Sequence, residues 1–278
     1  MCIRDSLKEL DEQGLMEDTI IFYYGDHGGV LPRSKGYAYE SGLQIPLVVY
    51  VPEKWKHLIP YDRGSRSETF VEFIDLAPTA LALAGVTVPI GMDGTPVMGK
   101  IIQKSKIKNK NTAFGYADRF DEKYDLVRTL RVGKYKYIRN YQPFNMDALY
   151  NFYRYKMLAY KEWLSLYREG KLNHVQSQFF EPKSPEALYN IEDDPHEIND
   201  LSNSESHQEI LLQKKQEPGN SPLTQISPSI QMTFSNLNGL HGGSKSKLDF
   251  VSDQKKNIIY LFIKHEQSDS FLLKKNLN

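Results

Sequence analysis

A short apolar run that ends in a glycine-rich turn is the feature that most limits how this chain can fold. Residues 19–24 read TIIFYY, and the next five residues read GDHGG. A run that is apolar on both faces and rich in β-branched and aromatic residues favours a buried parallel strand over an edge strand. Residues 45–51, IPLVVYV, predict a second strand of the same kind. The two runs therefore predict the mostly parallel sheet of an α/β protein.

A helix is predicted after these strands, between residues 70 and 84, where the apolar residues follow helical spacing. Asp75 is a candidate N-cap, and Pro78 falls in the first turn, where a helix tolerates proline. Gly85 is predicted to end the helix. Residues 7–105 are therefore predicted to form the C-terminal part of an α/β domain whose sheet is sandwiched by helices.

The pattern changes in residues 106–212, which predict a small α+β subdomain with an antiparallel sheet. Residues 126–141 predict a β-hairpin that turns at Gly133–Lys134, and residues 187–191 predict a short strand. Residues 147–170 predict one amphipathic helix with an aromatic stripe on its apolar face. The stripe is interpreted as core packing, with the stacking of sugars as the alternative.

Residues 213–278 are predicted to be a low-order tail. Its segments KKQEPGNSPLTQISPSIQ and HGGSKSK are rich in residues that favour loops. The segment NIIYLFI, at residues 257–263, is predicted to form at most one strand.

Composition excludes several classes of protein. Lys plus Arg and Asp plus Glu balance at 35 each, so no overall charge selects for nucleic acid or for an anionic membrane. A single cysteine excludes an internal disulfide framework and a metal cluster of several cysteines. The longest apolar runs are far shorter than the roughly 20 residues that a membrane-spanning helix needs.

The turn after the first strand carries the residues best placed for chemistry. Ligands of open α/β sheets bind where strands end, so Asp26 and His27 are candidate metal ligands or catalytic groups. The alternative is an Asx-turn with a surface histidine. Lys35, nine residues after Asp26, is a candidate to contact an anion and assist a leaving oxygen, or else a solvated lysine.

Several segments, in order, resemble the sulfatases, the formylglycine-dependent branch of the alkaline phosphatase superfamily. The first, YYGDHGGVLPRSKGYAYESGLQIPLVVYVP, resembles the family's second conserved region. FVEFIDLAPTALALAGV is similar to its Asp-x-x-Pro-Thr helix, and MDGTPVMG resembles a turn that follows this helix. YADRFDEKYDLVRTLRVGKYKYIRNY and SPEALYNIEDDPHEINDL resemble its C-terminal subdomain. The resemblance covers residues 7–212.

The resemblance implies roles for six residues. Asp26 and His27 are implied to bind the divalent cation of the active site, which is usually calcium in this family. His27 departs from the commoner Asn and gives a nitrogen where calcium prefers oxygen, which leaves the metal open. Lys35 is implied to contact the sulfate and stabilise the leaving oxygen. Asp118, Arg119 and Asp121 are candidate substrate-binding residues, with a surface salt bridge as the alternative.

The resemblance also implies a nucleophile that the sequence does not show. Formylglycine is made from the Cys or Ser of Cys/Ser-x-Pro-x-Arg, and no such motif occurs in the 278 residues. Cys2 is followed by Arg4 and lacks the proline. Residues 1–6, MCIRDS, are hypothesised to be adapter-derived sequence joined to a metagenomic gene whose N-terminal half is absent. On this hypothesis the nucleophile and any signal peptide lie upstream of Leu7.

The sequence thus predicts the C-terminal part of a sulfatase that hydrolyses sulfate esters, with a sulfated carbohydrate as substrate. The fragment itself is predicted to be inactive, and the family implies a periplasmic or secreted protein. Two alternatives remain open: a phosphodiesterase or phosphonate monoester hydrolase of the same superfamily, and a non-catalytic binder of sulfated glycans. The sequence predicts no nucleic-acid partner and leaves the oligomeric state unknown.

Overall fold

The computed structural model describes residues 3–100, 107, 110–120 and 122–216, together with the backbone of three strands between residues 247 and 276. The chain forms two compact units, Met1–Gln225 and Ile226–Asn278, and each is described by itself. Within the described residues, no helix is both long and apolar enough to cross a membrane.

The described helices of the first unit are mostly short. The α-helices are α1 (Ile3–Glu12), α2 (Glu40–Leu43), α3 (Leu76–Leu83), α4 (Phe152–Tyr155), α5 (Leu158–Arg168), α6 (His174–Ser177) and α7 (Gln208–Gln216). Turns of 3₁₀-helix lie at Met16–Asp18, Glu53–Leu58, Phe73–Asp75, Gln178–Phe180 and Glu205–His207.

The two predicted apolar runs form strands β1 (Ile21–Tyr24) and β2 (Leu47–Tyr50). The α/β class is confirmed, but the expected parallel arrangement of these strands is wrong, because they pair antiparallel, with Ile21 opposite Tyr50. The segment between them contains only the single helical turn α2, whereas a parallel connection is usually a longer crossover helix. The strands are also less buried than predicted, since Tyr23 and Tyr24 are 46% and 45% exposed.

The predicted helix at residues 70–84 is present as a 3₁₀ turn followed by α3. Asp75 does not cap α3 with its side chain; its carboxylate accepts hydrogen bonds from the backbone N–H groups of Glu72 and Thr95, both at 2.8 Å. Lys110 pairs with the same buried carboxylate. Gly85 follows the helix with a φ of 69°, the left-handed conformation that ends many helices.

The predicted antiparallel sheet is confirmed. Its strands are β3 (Thr112–Phe120), β4 (Lys123–Val132), β5 (Tyr135–Asn140) and β6 (Glu186–Asn190), hydrogen-bonded in that order. Gly133 makes the turn between β4 and β5 with a φ of 56°. Leu130 on β4 and Leu188 on β6 are fully buried and lie in the core of this sheet.

The single helix predicted over residues 147–170 is wrong in its extent, because the segment forms α4 and α5 with a break at Met157. Asn151 caps α4 by accepting a hydrogen bond from the Arg154 N–H at 3.0 Å, and Met157 has extended backbone. The part of the aromatic stripe on α5 packs in the core as predicted, because Trp163 stacks on Phe179 with ring centroids 4.4 Å apart, whereas Phe152 on α4 is exposed.

In the second unit the backbone forms three strands, β7 (Lys247–Asp253), β8 (Ile258–His265) and β9 (Ser268–Asn276). They pair antiparallel in sequence order. The expectation of at most one strand in this part of the chain is therefore wrong. The sequence of β7 has Lys and Asp beside its few apolar residues, and β9 has only the consecutive apolar residues FLL, so neither shows the alternation that predicts a strand.

Candidate functional site

Residues 25–42, here called the site loop, connect β1 to α2 and carry three of the predicted site residues. Backbone hydrogen bonds close the loop on itself, from Gly28 N–H to the Gly42 carbonyl at 3.0 Å and from Lys35 N–H to the Gly29 carbonyl at 3.1 Å. A side chain at Gly28 would overlap the Ser41 carbonyl, so glycine is needed for this close packing. The site loop is thus a compact unit rather than an extended connection.

Asp26 and His27 lie at the start of the site loop and face each other. The His27 Nε2 atom is 3.0 Å from Asp26 Oδ2, and His27 Nδ1 is 2.7 Å from the Gly28 carbonyl oxygen. A carbonyl oxygen only accepts hydrogen bonds, so Nδ1 carries the proton. In the neutral ring Nε2 is then an acceptor that faces a carboxylate acceptor. A cation between the two atoms would stabilise such a pair.

The donor set of this pair fits part of a metal site. A histidine that binds a metal through one ring nitrogen commonly donates the other N–H to a backbone carbonyl, as His27 does to Gly28. The Asp26 side chain is 82% exposed, so its carboxylate is accessible. Within the part of the chain that the structure describes, no group of three or more His, Cys, Asp or Glu residues is arranged to hold a metal ion. The pair could therefore supply two ligands of a metal ion and not a complete set.

Lys35 is half-buried in the site loop, and its backbone N–H and carbonyl both make hydrogen bonds. Its N–H donates to the Gly29 carbonyl, and its carbonyl accepts a hydrogen bond from Arg154 Nη2 at 2.9 Å. The Lys35 Nζ atom lies 5.7 Å from the centre of the Tyr153 ring, within the range of a cation–π interaction. The bond to Gly29 thus joins the lysine to the turn that carries Asp26 and His27.

Two of the predicted substrate-binding residues, Asp118 and Arg119, lie on β3, apart from the site loop in sequence. Asp118 forms a forked ion pair with the buried Arg128, whose Nη2 atom is 3.1 Å from Asp118 Oδ2. This ion pair is largely buried, and so it differs from the surface salt bridge that the sequence left open as the alternative. Arg119 is exposed, and Asp121 lies outside the described residues.

Comparison with known proteins identifies the family. A family model described as sulfatase matches residues 1–86. An ulvan-active sulfatase of Formosa agariphila is 36% identical over 254 residues, which are 91% of this chain and 41% of that protein. The chain belongs to the sulfatase family. Arylsulfatase A of Homo sapiens is 30% identical over 156 residues, or 48% of this chain and 29% of that sulfatase.

The sulfatase fold is also found among solved structures. A protein solved in complex with its substrate D-glucosamine-2-N,6-O-disulfate superposes with a TM-score of 0.52 and 17% identity, over 86% of this chain and 38% of that chain. This sulfatase chain therefore spans less than half of the length of the relatives that it matches.

The C-terminal residues of this sulfatase chain are similar to a different family. A model described as NDP-hexose 2,3-dehydratase matches residues 201–278. The dTDP-4-dehydro-6-deoxy-α-D-glucopyranose 2,3-dehydratase of Amycolatopsis orientalis is 40% identical over 71 residues, which are 25% of this chain and 15% of that protein.

Sequence reasoning missed the charged residues that fasten the sulfatase site loop to the antiparallel sheet. Glu40, at the end of the loop, lies 3.0 Å from the Nζ atom of Lys136 on β5. The same Nζ atom is 2.8 Å from Glu197 Oε1, and the Glu40 backbone N–H donates to Glu197 Oε2 at 2.7 Å. Lys136 and Glu197 make ion pairs rather than aligned hydrogen bonds. All three side chains are buried, which is uncommon for charged residues unless they are paired.

A second missed contact is made by Arg33. Its two terminal nitrogens donate to the backbone carbonyls of His196 and Glu197, each at 2.9 Å, and its guanidinium lies 4.1 Å from the centre of the Tyr39 ring. Arg33 and Glu197 both have positive φ values, 59° and 53°, which non-glycine residues rarely adopt. Such strain persists where the surrounding contacts fix the backbone, as they do here.

Burial changes the acidity of two tyrosines of the site loop. The hydroxyl of Tyr39 donates to Asp147 Oδ2 at 2.6 Å, and the hydroxyl of Tyr37 donates to the Asp147 carbonyl at 3.0 Å. Burial, more than the neighbouring charges, raises the pKa of both tyrosines well above the usual value. Both residues therefore act as neutral hydrogen-bonding groups at physiological pH.

Proposed function

We propose that this chain contributes the Asp-His turn and the active-site lysine of a sulfatase that hydrolyses sulfate esters of carbohydrates. The observation that carries the proposal is the closed site loop, in which one hydrogen bond ties Lys35 to the turn of Asp26 and His27. Two candidate cation ligands and a lysine in one closed loop suit a reaction in which negative charge develops on sulfate oxygens.

Asp26 and His27 are proposed as two ligands of a divalent cation, with calcium favoured by the family. A divalent cation at this position would polarise the sulfate group and stabilise its negative charge. The converging acceptor atoms of the pair support this role, as does the N–H that His27 donates to Gly28. The nitrogen ligand leaves room for a softer cation than calcium.

Lys35 is proposed to bind a sulfate oxygen and to stabilise the leaving oxygen. Its backbone N–H and carbonyl are both hydrogen-bonded, so the point from which the side chain reaches an anion is fixed. Arg119 is proposed as a further contact to an anionic sugar, with Asp118 and Asp121 as candidates to bind hydroxyl groups.

A sulfated carbohydrate is the proposed substrate. Among the proteins that this chain resembles, one is an ulvan-active sulfatase, and another was solved with a disulfated glucosamine. The family also implies a formylglycine nucleophile and a periplasmic or secreted location, and both belong to the proposal. No Cys/Ser-x-Pro-x-Arg motif occurs among the 278 residues, so we expect the chain by itself to hydrolyse no sulfate ester.

The proposal is tested by ligand binding to the 278-residue chain. Calorimetric titration in the presence of Ca²⁺ is expected to show saturable binding of D-glucosamine-2-N,6-O-disulfate and none of glucosamine. Lys35→Ala should weaken binding by about tenfold or more, because it removes one charge-assisted contact to the sulfate. Lys171→Ala, at an exposed lysine, is the matched control and should bind as the unchanged chain does.

Two other outcomes separate the alternatives. Tighter binding of glucosamine 6-phosphate than of the sulfated sugar would favour a phosphoryl-ester hydrolase of the same superfamily. Binding of the sulfated sugar that is indifferent to Lys35→Ala and to the removal of Ca²⁺ would favour a glycan-binding protein. Measurable hydrolysis of 4-nitrophenyl sulfate by the chain would contradict the expected inactivity.

We also propose that residues 7–105 belong to the catalytic α/β domain, residues 106–212 to the antiparallel subdomain, and residues 213–278 to a separate C-terminal tail. The dehydratase match that begins at residue 201 supports the last division, whereas the match to the ulvan-active sulfatase covers 91% of the chain and therefore extends past residue 212. Sequencing the genomic locus tests the division and the hypothesis for residues 1–6 together. One uninterrupted reading frame through codons 1–278 in genomic DNA would overturn an origin by artificial joining at either point.

A further inference from the structure

Arg154 on α4 makes a set of contacts that the proposed chemistry does not use directly. The residue is 2% exposed. Its Nη1 atom donates to the Tyr37 hydroxyl and its Nη2 atom to the Lys35 carbonyl, both at 2.9 Å. The guanidinium carbon lies 4.1 Å from the centre of the Tyr37 ring and 4.5 Å from that of Phe120.

Burial of the Arg154 guanidinium costs free energy. A buried guanidinium loses its hydration, and the two hydrogen bonds described for its terminal nitrogens go to neutral oxygens rather than to a carboxylate. The attraction between the guanidinium and the rings of Tyr37 and Phe120 offsets part of this free-energy cost. What the arrangement achieves is a fixed position for the peptide that follows Lys35.

The neighbouring glycine shows how closely the guanidinium is fitted to the loop. Gly36 has a φ of 78°, and a side-chain carbon placed there would lie 2.5 Å from Arg154 Nη2 and 3.0 Å from Phe120. The guanidinium therefore occupies the space that any other residue at position 36 would need. Arg154 holds the Lys35–Gly36 peptide through the Lys35 carbonyl, and the Gly29 carbonyl holds the preceding Ser34–Lys35 peptide through the Lys35 N–H.

We propose that Arg154 is a positioning residue for Lys35: it fixes the backbone of the lysine so that the ammonium group is presented to the sulfate of the substrate. The inference rests on the proposed role of Lys35 in a sulfatase. Arg154 itself is buried beneath the loop and acts through the Lys35 carbonyl and the Tyr37 hydroxyl. Lysine at position 154 would keep the charge but would lose the planar fork that reaches both oxygens.

Amide hydrogen exchange of the 278-residue chain tests the proposal without requiring turnover. Arg154→Met keeps an apolar stem between Tyr37 and Phe120 but removes both donors. We expect the peptide of residues 30–40 to exchange about tenfold faster or more, because the loop can then open locally without global unfolding. We also expect Lys35 to react faster with an acetylating N-hydroxysuccinimide ester, measured against the exposed Lys161 by mass spectrometry.

Leu130→Ala is the control for general destabilisation, since it opens a cavity in the β4 core away from the site loop. The proposal predicts loop exchange near that of the unchanged chain in this variant. Equal loosening in Leu130→Ala and Arg154→Met would overturn the proposal. So would a folded Arg154→Met with unchanged exchange and unchanged Lys35 reactivity. If Arg154→Met does not fold, Arg154→Lys is measured in the same way and judged by the same outcomes.

Inorganic sulfate separates this inference from the proposed function. Sulfate is expected to slow the acetylation of Lys35 in the unchanged chain and to lose most of this effect in the Arg154 variants. If sulfate protects Lys35 equally in the variants, positioning by Arg154 is contradicted while the role of Lys35 stands. If sulfate protects Lys35 in no form of the chain, the proposed sulfate contact fails, and the exchange data still decide whether Arg154 holds the loop.

Discussion

At the scale of single residues, Lys123 shows how burial beneath the site loop sets a charge state. Its side chain is almost fully buried, 4.4 Å from the centre of the Tyr37 ring and 3.7 Å from Asp125. Burial lowers the pKa of Lys123 to about 8, although the carboxylates of Asp147 and Asp125 favour the charged form. The folded state therefore binds the lysine proton less tightly than the unfolded chain does.

The depressed pKa predicts how stability depends on pH. Between pH 8 and about 10.4 the unfolded chain keeps the Lys123 proton that the folded chain has lost, so stability gains from this residue as pH rises. Below pH 8 both states are charged and the cost of burial is constant. We expect Lys123→Met to stabilise the protein at pH 7 by about 1–3 kcal/mol, with a gain that shrinks above pH 8.

Urea denaturation at pH 7, 8, 9 and 10 measures this effect, with Lys161→Met at an exposed lysine as the control. A gain for Lys123→Met that stays constant between pH 7 and 10 would show that Lys123 keeps an ordinary pKa.

Gly36 provides a second prediction at this scale. Gly36→Ala should destabilise the protein by about 2–4 kcal/mol, because the new methyl group meets Arg154 in addition to the strain of a positive φ. Gly133→Ala is a matched control, since Gly133 also has a positive φ but open space around it, and should cost about 1 kcal/mol. Equal losses in the two variants, measured by urea denaturation, would argue against close contact with Arg154.

The candidate site was only partly predictable from the sequence at the residue scale. Asp26, His27 and Lys35 stand close together in the chain, next to a strong strand, so their pattern is local. Arg154 contacts Lys35 across more than a hundred residues, and no periodicity in the sequence reports such a contact. One feature of the sequence could have pointed to Arg154, because this charged residue stands among the aromatic residues of NFYRY.

At the scale of elements, the buried charges of Glu40, Lys136 and Glu197 join the site loop to β5 and to the segment after β6. Burial raises the pKa of Glu197, and the attraction of Lys136 opposes that change. We expect Lys136→Met to destabilise the protein by about 3–5 kcal/mol, because it removes the buried cation that pairs with Glu197, while Glu40 keeps its ion pair with Arg131.

The control for this prediction is Lys215→Met, which removes a partly exposed partner of Glu186. It should change the free energy of unfolding by about 0–1 kcal/mol. Thermal and urea denaturation measure both variants. A loss of less than about 1 kcal/mol for Lys136→Met would mean that the buried cluster tolerates rearrangement and does not anchor the loop.

Elements with local signals were predicted well, and elements that depend on tertiary contacts were not. The hairpin at Gly133 and the helix beside Pro78 follow from turn chemistry and apolar spacing. The direction of β2 relative to β1 depends on how the site loop returns, which its composition does not reveal. The break at Met157 was missed because Asn151 and Arg154 take their partners from distant parts of the chain.

At the scale of the whole molecule, the chain consists of two units with separate sheets. We expect a chain that ends at residue 225 to unfold with the same midpoint as the 278-residue chain. Both tryptophans, Trp55 and Trp163, lie in the first unit, so their fluorescence reports that unit alone. A midpoint lower by more than about 5 °C would show that the second unit stabilises the first.

Family membership was predictable at this scale because several ordered motifs occur along the first three-quarters of the chain. The second unit was not predictable in the same way. Its sequence resembles low-complexity segments in composition, and its match to a dehydratase model starts at residue 201, within the part that resembles a sulfatase. Composition alone does not separate a weakly patterned sheet from a loop.

The central claim is that Asp26 and His27 bind a divalent cation in the site loop. Paramagnetic Mn²⁺, added in substoichiometric amounts, tests this by nuclear magnetic resonance even when affinity is low. The ring signals of His27 should broaden before those of the other six histidines, and Asp26→Asn should abolish the difference. Broadening of His27 that is no earlier than that of His57 or His174 would contradict the claim.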